Sequence, residues 1–207
     1  MLVINLFIPN LRSRRQIAGV FSRGFLRATG ISFTVHGTAQ LPQAPCVVVA
    51  NHSSYLDGLI AAAALPPDFA FVIKKEMVRV PIASILLRRL GSEFVDRFDR
   101  HKGAADARRV LKRAAQGQSL VFFPEGTFTE ASQVGKFHGG AFTTAARFNM
   151  PIVVMAIHGA RAALPAGTLT MRRTAIRVEI LDILDAGEAR LLSREMIANA
   201  IGEPLAP

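Results

Sequence analysis

The residues whose types and spacing could do chemistry follow two apolar runs. Cys46-Val47-Val48-Val49-Ala50 leads directly into Asn51-His52-Ser53-Ser54-Tyr55-Leu56-Asp57, and Ser119-Leu120-Val121-Phe122-Phe123 into Pro124-Glu125-Gly126-Thr127. An imidazole with one nitrogen held by a carboxylate keeps the other free to act as a base. His52 and Asp57 are five positions apart, which on a regular helix turns them about 140° from each other. They can meet if His52 lies in a loop and Asp57 in the first turn of the helix after it. The competing reading is that Asn51, Ser53, Ser54 and Asp57 only cap that helix; for the pair taken alone, capping is the commoner role. Other chemistries find less support. There is no G-x-S-x-G elbow, no phosphate-binding loop and no dinucleotide glycine fingerprint. His36, His52, His101, His138 and His158 are scattered without the spacing of a zinc site. The lone Cys46 excludes an intramolecular disulfide, and inside an apolar run it reads as a buried, inert thiol.

These residues need strands that stop where they begin. Ile31–Val35, Cys46–Ala50, Phe69–Ile73, Glu93–Val95, Ser119–Phe123, Ile152–Ile157 and Ile176–Leu181 read as strands. Helical patterns separate most of them: Leu59–Ala64, Ile82–Leu90, 102–116, Ala141–Phe148 and Ser193–Ile201. The alternation predicts an α/β fold, a largely parallel or mixed central sheet flanked by helices, with ligands beyond the carboxyl ends of the strands.

Charge is distributed unevenly. The formal net charge is +10, and the first acidic residue in the chain is Asp57. A basic balance points to anionic lipid, nucleic acid or a phosphorylated substrate. With no Trp, one Tyr and no helix-turn-helix or RNA-binding signature, no nucleic acid partner is expected. Residues 11–28 predict a helix. Ile17, Val20, Phe21, Gly24, Phe25 and Ala28 form an apolar stripe, Arg12, Arg15, Arg23 and Arg27 fall largely opposite, and Arg14 breaks the pattern. That make-up suits an interfacial helix on an anionic membrane surface; a core helix with a solvated face is the alternative. No apolar run reaches the ~18–20 residues needed to span a bilayer, although mean hydropathy is +0.30. The expectation is a peripheral or monotopic protein on the cytoplasmic face of a membrane.

Taken together, several blocks resemble the glycerolipid acyltransferase family of the lysophosphatidate type. Asn51-His52, four residues, then Asp57 is similar to its first signature. Gly91-Ser92-Glu93-Phe94-Val95-Asp96-Arg97 resembles the second, Phe123-Pro124-Glu125-Gly126-Thr127 the third, and Met150-Pro151-Ile152-Val153-Val154 the fourth. The match runs over about residues 30–180 in the family's order. With the amphipathic pattern marking a membrane-surface segment over 1–30, the match implies an acyltransferase domain over 31–207. It further implies acyl transfer from acyl-CoA or an acyl carrier protein to a lysophospholipid, most simply 1-acylglycerol-3-phosphate, with no cofactor and no metal. By that resemblance His52 is the base and Asp57 its partner, so that Asp57→Asn would act through the wrong tautomer. Arg97 would pair with an acceptor phosphate. Glu125, Gly126 and Thr127 would shape the acceptor site, with Glu125 either binding hydroxyls or holding its loop. Lys74 and Lys75 would meet carrier phosphates or simply be solvated. Two departures stand out: Phe128 where the family usually carries arginine after the threonine, and Met155 in place of a second proline. The first leaves open a non-phosphate acceptor such as a lyso-aminolipid. A non-catalytic lipid-surface module on the same fold is the remaining alternative.

Overall fold

The computed structural model describes residues 8–96, 100–128, 130–168 and 170–206, with the side chains of 100–104 excepted. Arg97, expected to bind a phosphate, lies outside the described residues.

Seven strands form one sheet: β1 (Ser32–His36), β2 (Val47–Ala50), β3 (Phe69–Lys74), β4 (Glu93–Val95), β5 (Ser119–Phe122), β6 (Ile152–His158) and β7 (Ala175–Leu184), in the order β1-β7-β6-β2-β5-β3-β4. All pairings are parallel except β6 with β7, whose antiparallel ladder shifts register between Val154 and Met155. The sheet is therefore mixed, as the fold reading allowed. β2 sits between β6 and β5 with all four residues buried, which is why it reads as an uninterrupted apolar run. Its side chains alternate between two cores. Val48 and Ala50 join Val121, Val153, Met155 and Ile157 on one face; Val47 and Val49 join Leu120, Ile152 and Val154 on the other.

Helices cover both faces. Helix α1 (Leu11–Ala28) and helix α2 (Asp57–Ala64) supply Leu26 and Ile60 to the first core. Helix α3 (Pro81–Arg89) follows a 3₁₀ turn at Lys75–Arg79. Helix α4 (Arg100–Ala115), helix α5 (Gly140–Arg147) and helix α7 (Ala189–Ile201) supply Val110, Phe142 and Ile197 to the second core. The short helix α6 (Ala160–Ala163) follows β6 directly and has no counterpart in the sequence pattern.

α1 has the predicted bounds, and its apolar stripe is not the side that packs on the protein. Its packed side is Ala18, Gly19, Ser22 and Leu26, whereas Val20 and Phe21 of the apolar stripe are 58% and 46% exposed. Small residues win the contact because the helices approach closely: a Cβ on Gly19 would lie 2.8 Å from the Ala62 carbonyl oxygen of α2. Two of the arginines expected outside turn inward to satisfy carbonyls. Arg23 donates to Ala63 O at 2.7 Å, at the end of α2. Arg15 donates to Leu90 O at 2.9 Å, and burial, followed by the neighbouring charge of Arg113, lowers its pKa to about 10. Arg12 pairs with Asp68 at the surface, and asparagine at position 10 caps the helix by accepting from the N–H groups of Arg12 and Ser13. No helix among the described residues is long and apolar enough to cross a membrane.

The close α1–α2 contact is testable. Gly19→Val should destabilise the fold by about 1–3 kcal/mol, the usual range for overpacking. Urea denaturation measures it, and an unchanged midpoint would show that α1 is not seated through Gly19.

Candidate active site

β2 ends at Ala50, and the loop it feeds is fixed by side-chain bonds to three distant segments. Asn51 donates to Ile157 O at 2.9 Å and accepts from Ile157 N–H at 2.8 Å, extending the β2–β6 pairing through a side chain. Ser54 Oγ donates to Leu164 O at 2.8 Å. The His52 N–H donates to Glu125 Oε1 at 2.7 Å, while the Gly135 N–H donates to Glu125 Oε2 at 2.7 Å. Both Glu125 oxygens are thereby engaged by backbone, and the residue acts as a brace between the two strand-end loops. Burial holds the Glu125 carboxyl above its ordinary range, although both N–H donors pull the other way.

His52 and Asp57 meet as their loop-then-helix placement allows. Asp57 is the first residue of α2 and fully buried. Its Oδ2 lies 2.8 Å from His52 Nδ1 and accepts from the N–H groups of Ser53 at 2.6 Å and Ser54 at 2.8 Å. Facing a carboxylate, Nδ1 carries the proton, which leaves Nε2 to accept one. No side chain caps α2 itself; the same Asp57 oxygen instead orders the turn that enters the helix and orients the imidazole. The ring stacks on Phe123, centroids 4.9 Å apart, and meets Phe128 edge-on at 4.7 Å.

His52 lines an apolar cavity of about 340 Å³, with walls from Leu59 and Ala62 of α2, Leu86 and Leu87 of α3, and Phe123 and Phe128. Gly126, at φ +81°, lines it too, a backbone conformation that favours glycine. Lys74 lies in its wall. Lys75 is instead 3.7 Å from both Asp96 and Asp106, so it has partners within the protein. Thr127 is exposed. Missing from the sequence reading were the roles of Asn51 and Ser54 as clamps and of Phe128 as a neighbour of His52. The cue available for the first two was their position between an apolar strand and a helix.

Among the described residues no three His, Cys, Asp or Glu side chains gather where they could hold a metal ion. Cys46 is buried, and burial pushes its thiol up to about 11 against the opposing bond from Ser119, so it stays protonated near neutrality.

The geometry revises the expected effect of Asp57→Asn. The Ser53 and Ser54 N–H groups would hold the amide oxygen where Oδ2 now sits, so the Nδ1–H tautomer survives; the negative charge is lost, and the amide NH2 takes the buried Oδ1 position. The variant should bind substrate normally and turn over slowly. Asp57→Ala should also lose about 1–3 kcal/mol of stability, because two buried N–H groups lose their acceptor. Steady-state kinetics and urea denaturation of both variants check this; equal stability losses in the two would contradict it.

Comparison with known proteins agrees with this fold. Residues 32–158, more than half the chain, match the Acyltransferase family. A chloroplastic 1-acyl-sn-glycerol-3-phosphate acyltransferase from Brassica napus is 29% identical over 174 residues, covering 83% of this chain and 50% of that protein. A lyso-ornithine lipid O-acyltransferase from Pseudomonas aeruginosa is 30% identical over 139 residues, covering 65% of this chain and 51% of that protein. The chain spans about half the length of these curated relatives. The crystal structure of the 1-acyl-sn-glycerophosphate acyltransferase PlsC from Thermotoga maritima superposes with a TM-score of 0.81 at 20% identity, covering 97% of this chain and 85% of that one, a likeness of fold. By the extent of the family match, which runs over residues 32–158 and so over more than half of its length, the chain belongs to the Acyltransferase family.

Proposed function

We propose that the chain transfers a fatty acyl group from an acyl thioester, of CoA or an acyl carrier protein, to the free hydroxyl of a lysophospholipid. The acceptor that fits best is 1-acylglycerol-3-phosphate, giving phosphatidate. The observation that carries this reading is the His52–Asp57 pair, with His52 lining an apolar cavity of about 340 Å³. In the reaction the acceptor oxygen attacks the thioester carbonyl as His52 Nε2 takes its proton. The C–S bond then breaks, and the proton passes to the departing thiolate. The charge of Asp57 stabilises the imidazolium formed in between. No covalent intermediate is needed, which agrees with a buried Ser54 bonded to Leu164 O and a protonated Cys46. Lys74, in the cavity wall, is the lysine available to carrier phosphates, and Arg97, by family resemblance, would hold the acceptor phosphate.

Phe128 favours a second acceptor class. With a ring where the family usually has arginine, one cation expected near a phosphate is replaced by apolar surface. A lyso-lipid with an amine head group, of the kind named for the Pseudomonas relative, meets that surface without a phosphate to neutralise.

The same reading puts residues 1–30 at a membrane surface and 31–207 in charge of catalysis. Val20 and Phe21 of α1 face outward, as do Ile82 and Ile85 of α3, a wall of the cavity. These apolar side chains, with Arg27, supply the burial and charge that an anionic bilayer surface rewards.

Two measurements test these proposals. His52→Ala should cut thiol release and lipid product by ~10²–10⁴-fold while the protein stays folded. A panel with lysophosphatidate and lyso-ornithine lipid, read by mass spectrometry, identifies the acceptor, and near-normal turnover of the folded variant would remove the central claim. For the membrane, changing Val20, Phe21, Ile82 and Ile85 to Ser should weaken co-sedimentation with anionic vesicles at both low and high salt. Arg27→Gln should weaken it at low salt, where screening is least. If the serine variant pellets like the parent protein, these side chains are not the contact.

A further inference from the structure

A base that activates a hydroxyl without a covalent intermediate cannot by itself tell a lipid alcohol from water. Any water that reaches His52 beside a bound thioester would be activated in the same way. The surroundings of the ring bear on this problem. Asp57 occupies the Nδ1 side, Phe123 stacks on the ring at 30° between planes, and Phe128 meets it at 73°. Phe128 is itself backed edge-on by Tyr55, centroids 4.8 Å apart at 85°. The His52 side chain is left 16% exposed. Phe128 also lines the apolar cavity that His52 lines, so its ring lies beside the base on the cavity side.

We infer that Phe128 is a specificity-determining residue that keeps water from His52, so that the thioester is spent on a lipid hydroxyl rather than hydrolysed. This rests on the acyl-transfer reading of the site. The excluded reaction is balanced without any further reagent. The water oxygen bonds to the thioester carbonyl carbon, and His52 takes a water proton. The C–S bond breaks, and the proton passes to the thiolate, giving free fatty acid and free thiol. Closing a site against water is a recognised way to suppress such hydrolysis. A hydrated guanidinium at position 128 would carry its own water shell to the base; an aromatic ring does not. Tyr55, more than half exposed, supports the ring from the solvent side rather than touching His52.

The experiment uses the full chain with acyl-CoA, with and without lysophosphatidate or lyso-ornithine lipid, in water enriched in oxygen-18. Free thiol, acylated lipid and labelled fatty acid are measured together. The parent protein should release thiol mainly when acceptor is present. Phe128→Ala should raise the ratio of labelled fatty acid to acylated lipid severalfold, and Phe128→Leu, which keeps apolar bulk, should stay near the parent ratio. Adding His52→Ala to Phe128→Ala should abolish the hydrolysis, showing that the same base drives it. An unchanged ratio in folded Phe128→Ala, or equal loss of both products, would overturn the assignment while leaving acyl transfer intact. No thiol release by the parent protein with any acceptor would overturn the acyl-transfer reading, and this inference with it.

Discussion

One carboxylate oxygen, Asp57 Oδ2, gathers two consecutive backbone N–H groups and the ring nitrogen of the preceding histidine. The rest of the site depends on that convergence. Without it the turn between β2 and α2 has two buried donors and nowhere to send them, and the imidazole has no fixed tautomer. Because a single atom serves both ends, the local fold and the chemistry cannot be separated. The turn that orders the start of α2 is the turn that aims Nε2. The spacing of five residues follows from this: four residues make the turn, and the fifth returns a carboxylate to its beginning.

Around that turn, each clamp comes from a different part of the chain. Asn51 borrows the edge of β6, Ser54 reaches the segment after α6, and Glu125 holds the loop from β5. The parallel arrangement makes this possible, because β2, β5 and β6 all end on the same side of the sheet and their loops meet there. Glu125 is a costly brace, since burial disfavours its charge, yet as a carboxylate it accepts from two backbone donors with two separate oxygens.

Much of this was legible in residue order. Apolar runs ending in polar groups marked the strands of the central sheet, and the turn from β2 into α2 was readable as a place where His52 and Asp57 could meet. The residues that seat α1 on the protein were not. An apolar stripe normally marks the packed side of a helix, but here Ala18, Gly19 and Ser22 make the contact because only small side chains permit the approach to α2. Arg15 and Arg23 looked like surface charge for the same reason: nothing local reveals that carbonyl oxygens at Leu90 and Ala63 await them. The insertion of β7 between β1 and β6 was equally hidden, because alternation of apolar residues fixes a strand but not its neighbours or its direction. Glu125 could be placed at a strand end, but its duty as a brace depends on Gly135 and His52 arriving from elsewhere.

The clamps on the β2 loop have a consequence for how the molecule assembles. Their partners lie 73, 106 and 110 positions along the chain from the residues they hold. Contacts of such sequence separation form only after much loop-closure entropy has been overcome, and chains rich in them fold slowly. The hydrogen bonds of Asp57, spanning three to five residues, belong to the opposite regime and can form early. The turn that orients the imidazole therefore does not depend on closing the long loops that complete the sheet around it. The orientation of the imidazole and its enclosure rest on contacts of different range. The pocket around the histidine needs the strand that carries Ile157 to be paired, whereas the histidine's own turn does not.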